Sequence, residues 1–114
     1  MNNLENRCMD FAVNIRLMIR QFPMDIPNKE DGKQVVRSFG SIGANYIEAN
    51  ESLGDKDKLF RLRISRKESK ETIYWLTILK ETNTEFQIII QKLIDEATEL
   101  CKIISAIIIK LQKS

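Results

Sequence analysis

Apolar residues recur along this chain at alternating spacings of four and three, the period of helices that each bury one face. Leu4, Cys8, Phe11, Ile15, Met18 and Phe22 carry the first stripe and predict a helix over about 4-22. Pro23 and Pro27 then remove backbone donors, so the longest irregular connection is expected there, with Asn28 capping the next start. Val35, Phe39, Ile42, Tyr46, Ala49 and Leu53 form a second stripe over about 30-53. Gly40, Gly43 and Ala44 lie beside it, where small residues permit a close helix crossing or a contacted surface. Gly54 and Asp55 supply a stop and an N-cap, making a tight hairpin with a third helix over about 56-81. Thr84 with Gln87 gives a capping-box signal for a fourth helix over about 86-112. No segment reads as a strand. The fold class is therefore all-α, an antiparallel up-down-up-down four-helix bundle, and 114 residues suit a single domain spanning 1-114.

Composition narrows the picture. Hydrophobic residues make up 43% and charged residues 30%, the balance of a globular chain rather than a disordered one. Cys8 and Cys101 show no C-x-x-C spacing and sit within apolar helical patterns, which favours a reducing, cytoplasmic setting. The isoleucine clusters at 88-90 and 107-109 are separated by charges, and no membrane association is expected. The chain has no histidine, so neither a Ser-His-Asp nor a Cys-His arrangement is available. Glu48 with Glu51 and Glu68 with Glu71 share the i, i+3 spacing of di-metal bundles, but those sites pair glutamates with histidines. No metal, no cofactor and no enzymatic activity are expected.

Charge is distributed unevenly. The net charge is only +2, yet residues 56-70 hold seven Lys or Arg against Asp57 and Glu68, a local +5. At about 100° per residue, Lys56, Arg63, Arg66, Lys67 and Lys70 fall within one arc opposite the apolar side. Such a stripe is either a solvated helix face or a phosphate-binding surface whose cations displace counterions from nucleic acid.

On the inward side, Arg61, Ser65, Glu68 and Thr72 lie among apolar neighbours and need partners. A hairpin centred on Gly54 sets Glu48 opposite Arg61 and Ser41 opposite Glu68, with Asn45 near Ser65, so a paired polar layer is expected. On that placement Arg61→Ala destabilises far more than Arg63→Ala. In the fourth helix Ile88, Ile103 and Ile109 fall outside the core arc and are candidates for an intersubunit seam, the chain forming a homo-oligomer.

The segment from Arg37 through Ser41, Asn45 and Glu48 to Ala49, with Leu62 through Ser65 and Glu68 to Trp75 and Leu76, resembles the bacterial 23S rRNA intervening-sequence protein family. Gly43 stands where proline is frequent in that family. The resemblance implies a four-helix bundle assembling as a ring-like homopentamer, related to the accessory variability determinant of diversity-generating retroelements, which binds nucleic acid and a reverse transcriptase. It implies no catalytic residues. The leading expectation is a non-enzymatic, oligomeric protein that contacts RNA or DNA backbone through its basic face. The alternative is a scaffold that docks a protein partner, with the basic stripe only solubilising.

Overall fold

The computed structural model describes residues 3–113. Four helices run α1 (Asn3–Ile19), α2 (Ile26–Asn50), α3 (Asp55–Thr82) and α4 (Gln87–Gln112), and no strand occurs among the described residues. They form the expected four-helix bundle, 47 × 22 × 19 Å, with α2 packed on α3, α3 on α4 and α1 on α2. α1 and α3 occupy diagonal corners, and α1 approaches α4 only loosely. The stripes read from sequence become the core: Phe11 and Phe39 stack with centroids 3.9 Å apart, and Ile15, Ile42, Leu62, Leu76, Ile90 and Ile104 are fully enclosed.

Helix ends depart from the sequence reading, each for a local reason. α1 stops at Ile19, and the amides of Gln21 and Phe22 bond back to Met18 and Ile19 in a tightened last turn, which tucks Phe22 against Phe86. α2 starts at Ile26 rather than near residue 30. Proline is tolerated in a first turn because its missing donor would have no intrahelical acceptor, so Pro27 opens this helix. The cap is Asp25, whose Oδ1 accepts from the Asn28 amide at 2.9 Å; Asn28 itself is inside the helix and buried.

α2 ends at Asn50 and α3 begins at Asp55, so the hairpin turns over residues 51–54. Gly54 is extended, at φ −172°, and Asp55 is the first helical residue rather than the cap. The Thr84–Gln87 capping box does not form: Thr84–Phe86 is a 3-10 turn, and Phe86 precedes α4 without a side-chain cap. The α3–α4 junction is held by Asn83 instead. Its amide and that of Asn28 exchange hydrogen bonds of 2.9 and 2.8 Å, and Asn83 also donates to the Leu79 carbonyl at 3.0 Å. With Asn28 donating to the Pro23 carbonyl at 2.9 Å, every amide hydrogen of this buried pair finds an acceptor.

Candidate nucleic-acid interface

The outer face of α3 carries Lys56, Arg63, Lys67 and Lys70, all exposed, with Arg66 half-buried at its flank. Among the described residues none of these five lies within ion-pair distance of a carboxylate. The cause is in α2. Glu71, at the edge of the stripe, turns towards Arg37, whose Nη2 donates to its Oε1, and the inward Glu68 has its Oε2 3.4 Å from Arg37 Nη1. Glu68 is buried, and its Oε2 accepts no aligned hydrogen bond, so Arg37 supplies it with charge rather than with a directed bond. The Arg37 hydrogen bond holds the Glu71 carboxyl below the usual carboxylate range against the opposing effect of burial, and the Trp75 indole, donating at 3.3 Å, helps. The same bond to Glu71 raises the Arg37 guanidinium.

Inside the hairpin a polar layer exists, with partners different from those expected. The pairs share no single offset from the expected register: Ser38 meets Thr72 close to it, whereas Ser65 and Arg61 reach back by a few residues. Ser65 Oγ donates to the Ile42 carbonyl at 2.9 Å. Thr72 Oγ1 donates to the Glu68 carbonyl at 2.8 Å, which leaves Ser38 Oγ to donate to Thr72 across 2.9 Å. Ser41 meets Asn45, whose amide donates to its carbonyl at 2.9 Å and to its hydroxyl at 3.0 Å, and not Glu68. Arg61 reaches Asn45 Oδ1 at 3.4 Å and Asp57 at 4.0 Å, while Glu48 is exposed and away from it.

Sequence reasoning missed Arg37 and Ser38, while Thr72 is buried and paired on the inward side as expected. The signal was present: Ser38, Ser65, Ser69 and Thr72 all stand in phase with the core stripes of their helices, and all are fully buried. Arg37 falls opposite Glu71 in nearly the same hairpin register that was used to pair Ser41 with Glu68.

The helix-four candidates do not come together. Ile88 is 79% exposed at one end, Ile109 is exposed at the other, and Ile103 is partly buried against the core. Lys92, Asp95, Glu99 and Lys102 are exposed along the stretch between the two ends. A more continuous apolar strip lies on α1, where Met9, Val13 and Leu17 are exposed at intervals of four. Met9 borders a groove of about 230 Å³ floored by Gly40, Gly43 and Ala44 and closed by Ile47 of α2. A Cβ on Gly43 would touch Cys8 at 3.4 Å, whereas one on Gly40 would meet nothing within 4 Å. Gly43 thus marks a close α1–α2 crossing, and Gly40 opens to the surface.

Both cysteines are free, and burial pushes the Cys8 thiol up to about 11. Among the described residues no cluster of three or more His, Cys, Asp or Glu could hold a metal ion. No helix of the described residues is long and apolar enough to cross a membrane.

The fold and this face together define an all-α four-helix bundle protein with an exposed cationic stripe on its third helix. The 23S rRNA-intervening sequence protein model matches residues 2–106, and the chain belongs to that family. It is similar to a crystal structure of a protein with unknown function from the S23 ribosomal protein family of Bacteroides thetaiotaomicron VPI-5482. That likeness has a TM-score of 0.78 and 29% identity, over 92% of this chain and 97% of that one. No curated protein matches the chain.

Proposed function

We propose that this protein is a non-enzymatic binder of RNA or DNA backbone that works as a homo-oligomer in the bacterial cytoplasm. Lys56, Arg63, Arg66, Lys67 and Lys70 are its phosphate contacts. The observation that carries the reading is that, among the described residues, none of the five cations of this helix face forms a close ion pair, Lys67 acting on Glu71 only at longer range while Arg37 takes the Glu71 carboxylate. A solvated face of mixed charge would neutralise itself through such pairs; this one keeps its field outward. Family membership, named for the RNA of the large ribosomal subunit, supports the same direction. In a ring, the pentamer implied by the resemblance, the stripe would repeat and its field would add.

The test is a binding titration against salt. Affinity for a nucleic acid should fall steeply between low and moderate ionic strength, with a slope near 0.7 to 0.9 per phosphate contact on logarithmic axes. Replacing Arg63, Arg66 and Lys67 together by alanine should weaken binding at every sequence and lower that slope by about 2 to 3. Tight binding indifferent to salt and to the triple substitution would overturn the proposal.

A second reading, a scaffold for a protein partner, is favoured by the exposed Met9, Val13 and Leu17 strip of α1. The absence of any RNA or DNA complex at low salt would select it.

A further inference from the structure

Two exposed aromatic rings share the cationic face. Phe60 is 57% exposed and Tyr74 is 59% exposed, and with Lys67 they stand at intervals of seven along α3. Seven residues are close to two full helical turns, so the three side chains leave the helix in nearly the same direction. At about 1.5 Å per residue the rings lie about 21 Å apart along the axis, with Arg63, Lys67 and Lys70 between them. We infer that this face binds single-stranded nucleic acid, with Phe60 and Tyr74 as stacking platforms for unpaired bases at the two ends of a phosphate track formed by Arg63, Lys67 and Lys70. The inference rests on the nucleic-acid reading above and adds the form of the ligand.

The chemistry separates the candidate occupants. A duplex offers phosphates to the cations but keeps its base faces stacked inside, so two projecting rings would meet only sugar and phosphate. A single strand offers both groups at once, and stacking tolerates any base because each has a π-face. At the duplex rise of about 3.4 Å per nucleotide the track accommodates roughly six nucleotides, and fewer in an extended strand, within the span of known single-strand sites. An apolar protein surface fits less well, because covering both rings would bury Arg63, Lys67 and Lys70 without counterions.

The Tyr74 ring is braced. Trp75 meets it edge-on with centroids 5.0 Å apart, and the Trp75 indole donates to Glu71, which Arg37 holds from α2. The arrangement that leaves the cations unpaired therefore also supports one of the platforms. At the other end, the Arg61 guanidinium stands 5.8 Å from the Phe60 centroid.

The test uses the full-length protein and four fluorescent probes: a 20-nucleotide oligouridylate, the matching oligothymidylate, and 20-base-pair RNA and DNA duplexes. Phe60→Ala with Tyr74→Ala should weaken both single-stranded probes by about tenfold or more, while affinity for the duplexes and the salt slope stay unchanged. Phe60→Tyr and Tyr74→Phe should restore single-strand affinity, because a ring is kept. The oligouridylate and oligothymidylate arms tell RNA from DNA. Equal losses on duplex and single strand, or no loss while the triple cation substitution still weakens binding, would overturn stacking and leave the phosphate reading standing. If the wild-type protein binds none of the four probes at low salt, both fail. A change of subunit number in the double alanine variant, measured by light scattering, would assign the rings to a subunit contact and overturn the inference.

Discussion

The α2–α3 and α1–α4 seams are built on different principles. Between α2 and α3 the helices are sewn by buried hydroxyls and by Arg37 reaching two glutamates, so polar groups there are specific to one register. Between α1 and α4 a part-exposed ion pair, Arg7 to Glu96 at 2.5 Å, spans a looser contact. Beside it a groove of about 370 Å³ opens, bordered by Leu17, Gln21, Ile89 and Lys92. A paired polar group inside a hairpin fixes alignment, because a slipped register would strand it without a partner at a cost of about 1–3 kcal/mol. A bridge at the surface is screened and constrains little. The hairpin is therefore the rigid half that presents the cationic face, and α1 is the half whose outer side is free to meet another surface.

Removing one partner from each kind of bridge should break this contrast most sharply. Asn83→Ala leaves the buried Asn28 amide without its reciprocal bonds at the start of α2, and should cost about 1–3 kcal/mol in denaturant unfolding. Arg7→Ala should cost under about 1 kcal/mol, since both partners keep contact with water. Equal losses would mean that the two seams do not differ in the way described.

Arg61 gives a finer measure. Had it been enclosed opposite Glu48, its removal would have stranded a buried charge. With 37% of its side chain exposed and only long contacts to Asn45 and Asp57, Arg61→Ala should destabilise by under about 1 kcal/mol, a little more than Arg63→Ala. A difference of several kcal/mol between the two melting profiles would restore the enclosed placement.

These corrections mark what a sequence can carry. Helix number, order and core stripes were legible because each apolar period runs through several turns, so an error at one position changes nothing. The hairpin pairings were not, because each depends on which partner a single side chain reaches. Ser41 turns to Asn45 of its own helix and Ser65 to the Ile42 carbonyl, so the groups set opposite each other by the hairpin do not pair. Single residues at helix ends misled for the same reason: Pro27 can either end a helix or open one, and only the Asp25 cap decides. On the cationic face, positions around the helix could be counted from the sequence, and the hairpin register already set Arg37 near Glu71, but that one guanidinium reaches both Glu68 and Glu71 could not be read from it. The exposure of Phe60 and Tyr74 likewise depends on α2 and α4 covering the other sides of α3.

The smallest effect tests the link between the rigid seam and the face it presents. Glu71 has its carboxyl held below the ordinary range by Arg37, so the folded state binds its proton more weakly than the unfolded chain does. The stabilisation is complete above the unfolded carboxylate value of about 4.3 and fades as pH falls through the lower folded value. Glu71→Gln should therefore melt below wild type near neutral pH, and the gap should close on acidification below about pH 4. A gap unchanged down to pH 2 would place the effect in packing rather than in charge. If Arg37 also keeps the stripe unpaired and Tyr74 braced, Glu71→Gln should leave duplex affinity intact while weakening single-strand binding, less than loss of the ring itself does. The Trp75 support is then loosened, but every phosphate contact remains.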